Sequence, residues 1–110
     1  PTQPPAVAAP AACPNPGVRI TSPGNGQQVS GVVNIVGTAT IENFQFYKVE
    51  YNGGNGFAVI GDVMGHPVNN GVLASWNTAG FPGGTYTLRL TVVDMTGNYP
   101  APCDVTVVVP

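Results

Sequence analysis

The tightest constraint on this chain is the placement of its turn residues. Beyond Gly17, apolar runs last only a few residues before Gly, Asn or Pro interrupts them, and within the runs apolar and polar residues alternate. The clearest run is Thr85 to Asp94, with Tyr86, Leu88, Leu90 and Val92 on one face and Thr87, Arg89, Thr91 and Val93 on the other. A period of two is the signature of a strand with one buried face. No window carries a useful 3.6-residue apolar period, and 15 glycines and 12 prolines would break most helices. The chain is therefore expected to be all-β: about seven antiparallel strands at roughly 8–12-residue spacing, the pattern of a β-sandwich.

The other runs fit this frame. Val18-Arg19-Ile20-Thr21 alternates and stops at Ser22-Pro23-Gly24-Asn25-Gly26. A second run sets Val33, Ile35, Gly37 and Ala39 against Asn34, Val36, Thr38 and Thr40. In Phe44 to Tyr51, the residues Tyr47, Val49 and Tyr51 face inward and Lys48 and Glu50 outward. Phe44 and Phe46 have the wrong parity, which a β-bulge near Phe46 repairs. Asn52-Gly53-Gly54-Asn55-Gly56 precedes a run from Phe57 to Asp62, and Asn69-Asn70-Gly71 precedes Val72 to Trp76. After the turn Met95-Thr96-Gly97-Asn98, a last strand from Cys103 to Val109 places Cys103, Val105, Val107 and Val109 on one face.

Two regions follow. Residues 1–16, PTQPPAVAAPAACPNP, are mostly Pro and Ala; they favour extended polyproline II and read as an arm or linker. Residues 17–110 form the sandwich, and 110 residues suffice for one such core but not two. The chain opens on Pro1 with neither Met nor a signal sequence, which reads as a processed form or an excerpt.

Charge narrows the partners. Only 7% of residues are charged, against roughly 25% in an ordinary soluble domain, and the net charge is −2. Lys48, Arg19 and Arg89 make no patch for phosphates, so no nucleic acid is expected as a partner. No apolar run approaches the ~20 residues of a membrane helix. The outward positions Thr38, Thr87, Thr91 and Thr106 carry neutral Thr where charges often keep sheets apart. The two cysteines, Cys13 and Cys103, suit a disulfide made in an oxidising compartment, although two free thiols in a reducing one fit the same sequence.

The segment Phe81-Pro82-Gly83-Gly84-Thr85-Tyr86 is similar to the E–F corner of immunoglobulin-like and fibronectin type III sandwiches, where a Tyr hydroxyl bonds back to nearby backbone. The resemblance makes Tyr86 the structural corner. Ile20-x-x-Pro23, Gly37-Thr38-Ala39, Phe44-Gln45-x-Tyr47-x-x-Glu50-Tyr51, Trp76-Asn77-Thr78 and Asp94-x-x-Gly97-Asn98 together resemble bacterial surface Ig-like modules. Such modules are appended to penicillin-binding transglycosylases and repeated in large secreted proteins. The resemblance spans about residues 17–110; it implies an Ig-like fold and export, and it transfers no catalytic residue. It also implies that the first and last strands run parallel side by side, so that Cys13 and Cys103 lie at one end and a bridge ties the arm to the body. Closing a loop of ~90 residues stabilises by about 4–5 kcal/mol on the chain-entropy account. Bridges between copies along a polymer are the rival.

Chemistry is scarce. His66, the one histidine, sits in a Gly-His-Pro turn, and Ser22, Ser30 and Ser75 have no nucleophile-elbow context. Asp62, Asp94, Asp104, Glu42 and Glu50 form no calcium-loop run, so neither a metal nor a cofactor is expected. Lys48 alternates outward beside Glu50, away from any isopeptide crosslink. Tyr47, Tyr51, Phe57, Trp76, Phe81 and Tyr99 are candidates for sugar stacking, with Trp76 better placed as core. Phe44, Phe46 and Tyr99 are the apolar residues least easily placed inside, and are taken as a partner surface. The expectation is a secreted or cell-surface, non-catalytic structural module. Its partners would be copies of itself or neighbouring domains of the same chain, with the arm of one copy contacting the next. The alternative is a glycan- or cell-wall-binding accessory domain of a larger secreted enzyme.

Overall fold

A computed structural model describes residues 13–110. The first twelve residues of the expected arm lie outside that part; its last four, Cys13 to Pro16, lead into the body. There the Asn15 carbonyl accepts from the Val18 N–H at 3.0 Å and its Oδ1 from the Gly17 N–H at 2.8 Å.

Among the described residues the fold is all-β, with eight strands: β1 Val18–Ser22, β2 Gln27–Gln28, β3 Val32–Ala39, β4 Phe44–Asn52, β5 Ala58–Val59, β6 Val68–Asn77, β7 Gly84–Asp94 and β8 Cys103–Val109. They form a three-stranded sheet, β1-β3-β6, and a five-stranded sheet, β2-β8-β7-β4-β5. All pairings are antiparallel except β2 with β8, which is parallel.

The eighth strand arises because the first one changes sheets. Pro23, fully buried and without an N–H, cannot continue the β1 ladder. The chain then crosses to the other sheet, where Gly26 N–H donates to Thr106 O at 2.7 Å and Val29 N–H to Val108 O at 2.8 Å. The run expected over Phe57 to Asp62 shrinks to β5, and that expected from Val72 to Trp76 grows to ten residues.

The inner faces of the two sheets meet in one core. Ile20, Ile35, Leu73 and Trp76 come from the small sheet; Tyr47, Val49, Leu88, Leu90, Val92, Val105 and Val107 come from the large one. Tyr47 joins the layers, its buried hydroxyl donating to Leu73 O at 2.8 Å, so that its polar atom is satisfied without water. Burial also pushes the Tyr47 phenol above the ordinary range. Gly37 lets β1 and β3 come together, since a Cβ there would collide with the Arg19 carbonyl.

Three outward assignments need correction. Thr38 is buried opposite an irregularity in β6, where the register shifts between Gly37 and Ala39 and the Asn70 N–H donates to Thr38 Oγ1 at 3.1 Å. Thr91 and Val93 are buried on the outer face of β7, in a groove walled by Phe46 and Tyr99.

Candidate functional site

The register shifts between Phe44 and Phe46, and this bulge separates the two phenylalanines. Phe44 turns inward, packing on the core with its ring 6.5 Å from Tyr47. It therefore does not belong to the surface expected of it, because one extra residue reverses its face. Phe46 stays outward, lining with Tyr99 a groove of about 230 Å³.

Beside that groove lie most of the body's paired charges. Glu50, Arg89 and Asp104 sit in one cross-strand row. Arg89 holds Asp104 through two parallel bonds, Nε to Oδ1 at 2.8 Å and Nη2 to Oδ2 at 2.9 Å, and its guanidinium lies 4.1 Å from the centroid of the Phe57 ring. The Asp104 hydrogen bond is the main cause raising the Arg89 pKa still further above neutral. Lys48 Nζ lies 3.7 Å from Glu50 Oε1, on the outer face. These charges neutralise each other, and exposed pairs of this kind contribute little to stability.

A second cluster gathers where β4 and β8 end and β7 begins. Trp76 stacks on Tyr51 at 5.8 Å and meets Phe81 and Tyr86 edge-on at 5.5 and 5.4 Å. Tyr51 and Phe81 form a further T-shaped pair at 5.0 Å. The turn before β7 holds these rings in place: Tyr86 donates its hydroxyl proton to Pro82 O at 2.7 Å, and Thr78 Oγ1 donates to Gly31 O at 2.8 Å. Trp76 is buried in this packing, its Nε1 without a hydrogen-bond partner among the described residues.

Over the cluster opens a cleft of about 390 Å³, walled by Tyr51, Phe57, Phe81 and Tyr86 and floored by Gly53, Gly56, Gly83 and Gly84. Gly53 is required there, because a Cβ would come within 2.6 Å of the Tyr86 ring. None of the cleft's side chains is charged. The sequence grouped Tyr51, Phe57 and Phe81 with Tyr47, Trp76 and Tyr99 as sugar-stacking candidates and set Tyr86 apart as the corner; it did not show that Tyr51, Phe57, Phe81 and Tyr86 share a wall. The glycine run from Asn52 to Gly56, read as a turn, also marks backbone lying close to a ring.

The opposite end is held by Cys13 and Cys103, joined in a disulfide with Cα atoms 5.1 Å apart and a sequence separation of 90. Cys103 Sγ also accepts from the Ile20 N–H at 3.2 Å. In the adjoining turn Asp94 Oδ1 accepts from Thr96 N–H at 2.8 Å and Asn98 N–H at 3.1 Å, and also from the Thr96 hydroxyl. That hydroxyl is the chief cause holding the Asp94 carboxyl below its ordinary range.

Among the described residues no nucleophile–base pair stands out. His66 is exposed with its ring 6.5 Å from Tyr47, and Ser75 donates to Asn34 Oδ1 at 2.9 Å on the small sheet's outer face. Among the described residues no three His, Cys, Asp or Glu side chains gather, and no helix is long and apolar enough to cross a membrane.

The family model of the bacterial Ig domain matches residues 16–90, from the turn before β1 to Leu90 in β7. No curated relative and no solved structure matches the chain. With the sandwich built as described, the chain belongs to the bacterial Ig domain family, whose members are in general non-catalytic surface modules.

Proposed function

We propose that this chain is a structural module of a secreted or cell-surface assembly, meeting copies of itself or neighbouring domains, with its N-terminal arm contacting a neighbour. The observation that carries this reading is the outer side of the small sheet. Val32 and Val72 stand 66% and 53% exposed there, beside Asn34 and Ser75, and the charge on that face is Arg19 at the β1 margin. Its β6 edge runs ten residues without charge or proline, and among the described residues no strand pairs with its outer side. Free-standing sheets usually blunt such edges with charge, proline or brevity; the edges at β2 and β5 are two residues each. The disulfide supports an oxidising compartment. Sedimentation velocity across a wide concentration range tests the reading. Concentration-dependent association that Val72→Lys weakens supports it, and a monodisperse monomer throughout overturns it.

A second reading, a glycan- or wall-binding accessory module, draws on the partly exposed rings of Tyr51, Phe57 and Phe81 in the cleft. Binding to polysaccharide that is lost on Phe57→Ser would favour it.

A further inference from the structure

We propose that the aromatic cleft is the receptor for the arm, and that the proline-rich residues 1–12 of one copy dock in the cleft of the next, head to tail. This deepens the assembly reading and rests on it. The arm's own chemistry selects this receptor over a strand edge. Pro1, Pro4, Pro5 and Pro10 offer no N–H to a ladder, and the longest stretch free of proline, Ala6 to Ala9, has four residues. Segments of this kind are recognised instead as polyproline II, their rings laid on aromatic side chains.

The cleft has that character. Tyr51, Phe57 and Phe81 supply partly exposed rings, with Tyr86 buried behind Gly53, Trp76 stacked on Tyr51 and the Arg89 guanidinium over one face of Phe57. The side chains of the cleft and of residues 1–12 are alike uncharged, so none of them leaves an unpaired charge on burial. A sugar would ask for more: side-chain polar partners for several hydroxyls, where the cleft offers Asn55, Thr85 and the Tyr51 hydroxyl, that of Tyr86 being spent on Pro82.

Geometry permits an intermolecular contact. The arm enters the body at Cys13, bound to Cys103, which stands opposite Leu90. The cleft lies at the other end, around Gly84, Thr85 and Tyr86, which stand opposite Val109, Val108 and Val107. The two ends are about 20 Å apart along β8. Twelve residues as polyproline II reach about 37 Å, ample for the cleft of a copy stacked beyond the disulfide. The same reach also spans the distance back to the arm's own cleft, and the concentration dependence measured below separates the two.

The test uses the full chain in two variants and their mixture. The arm variant is Pro4→Gly, Pro5→Gly and Pro10→Gly together; the cleft variant is Ala58→Arg, an exposed position on the cleft margin. Sedimentation is expected to show about a tenfold loss of association for each variant alone. An equimolar mixture is expected to recover a one-to-one dimer, since each supplies the half the other lacks. A synthetic peptide of residues 1–12 should shift the amide resonances of Gly53, Gly56 and Gly84 in the isotope-labelled chain. Association indifferent to both variants but lost in Val72→Lys overturns the docking and leaves the assembly reading standing. A monomer at every concentration overturns both. Cleft resonances that move with a chitin oligosaccharide and not with the peptide overturn it in favour of the glycan reading, and arm–cleft contact independent of concentration overturns the intermolecular step.

Discussion

The two ends of the sandwich are closed by different physics. At one, a disulfide ties Cys13 to Cys103 and side-chain acceptors on Asn15 and Asp94 finish the turns. At the other, Trp76, Tyr51, Phe81 and Tyr86 pack ring on ring with one hydroxyl fixed to Pro82. The first device acts largely on the unfolded chain, by limiting its freedom. The second acts on the folded state, by removing apolar surface from water. A covalent closure needs little surrounding surface, whereas a closure made of rings leaves ring edges and faces at its margin, and the cleft lies there.

Denaturant unfolding can break this contrast. Cys13→Ala leaves the buried Cys103 thiol in place and opens the 90-residue loop, so stability should fall by about 4–5 kcal/mol at most. Because the unfolded chain then expands, the m-value should rise as the urea midpoint falls. An unchanged m-value would show that the bridge acts in the native state, like the rings. Trp76→Ala should cost slightly less, about 3–4 kcal/mol, since half-buried Tyr51 and Phe81 can settle partly into the space. Here the midpoint should move and the m-value stay. If both variants changed m alike, the two ends would not differ in the way argued.

Periodicity in the sequence reached as far as single strands and stopped where tertiary cover begins. Alternation matched the burial of β8 and of β7 as far as Leu90, because a buried face constrains every second residue; beyond it Thr91 and Val93 are buried as well, beside Phe46 and Tyr99. The wrong parity of Phe44 and Phe46 pointed to a bulge, and the register shift lies between them. Alternation did not reveal which of the two would turn inward, since one inserted residue exchanges their faces and only the Tyr47 contact decides. Thr38 departs from its expected exposure for a related reason: its face points outward, but β6 slips in register opposite it and the Asn70 N–H closes on its hydroxyl. The cleft was the least legible feature, assembled from two segments, residues 51–58 and 81–86, whose proximity depends on β4 pairing with β7. Gly53 carried the strongest local signal, yet a glycine pressed against a ring and a glycine in a tight turn look alike in one sequence.

The smallest expected effect belongs to Asp94, at the disulfide end, and it sharpens the contrast because it depends on pH. The Asp94 carboxyl is held below its ordinary value of 3.8, first by the Thr96 hydroxyl and then by backbone N–H groups of the turn. A carboxylate whose folded pKa is depressed adds stability above its unfolded pKa, and that contribution is lost as pH falls through the folded value. Wild-type thermal midpoints should therefore drop between about pH 5 and pH 2 more steeply than those of Asp94→Ala, the two curves converging in acid. The group is exposed, so the gap at neutral pH should be small. The alkaline limb offers an internal control. The Tyr47 phenol, raised by burial above 10.0, favours the fold below its unfolded pKa, and that contribution fades as pH rises through the folded value. Asp94→Ala should leave this limb untouched. Parallel curves across the acid range would show that the turn draws nothing from the charge of Asp94, and that the disulfide alone distinguishes this end from the aromatic one.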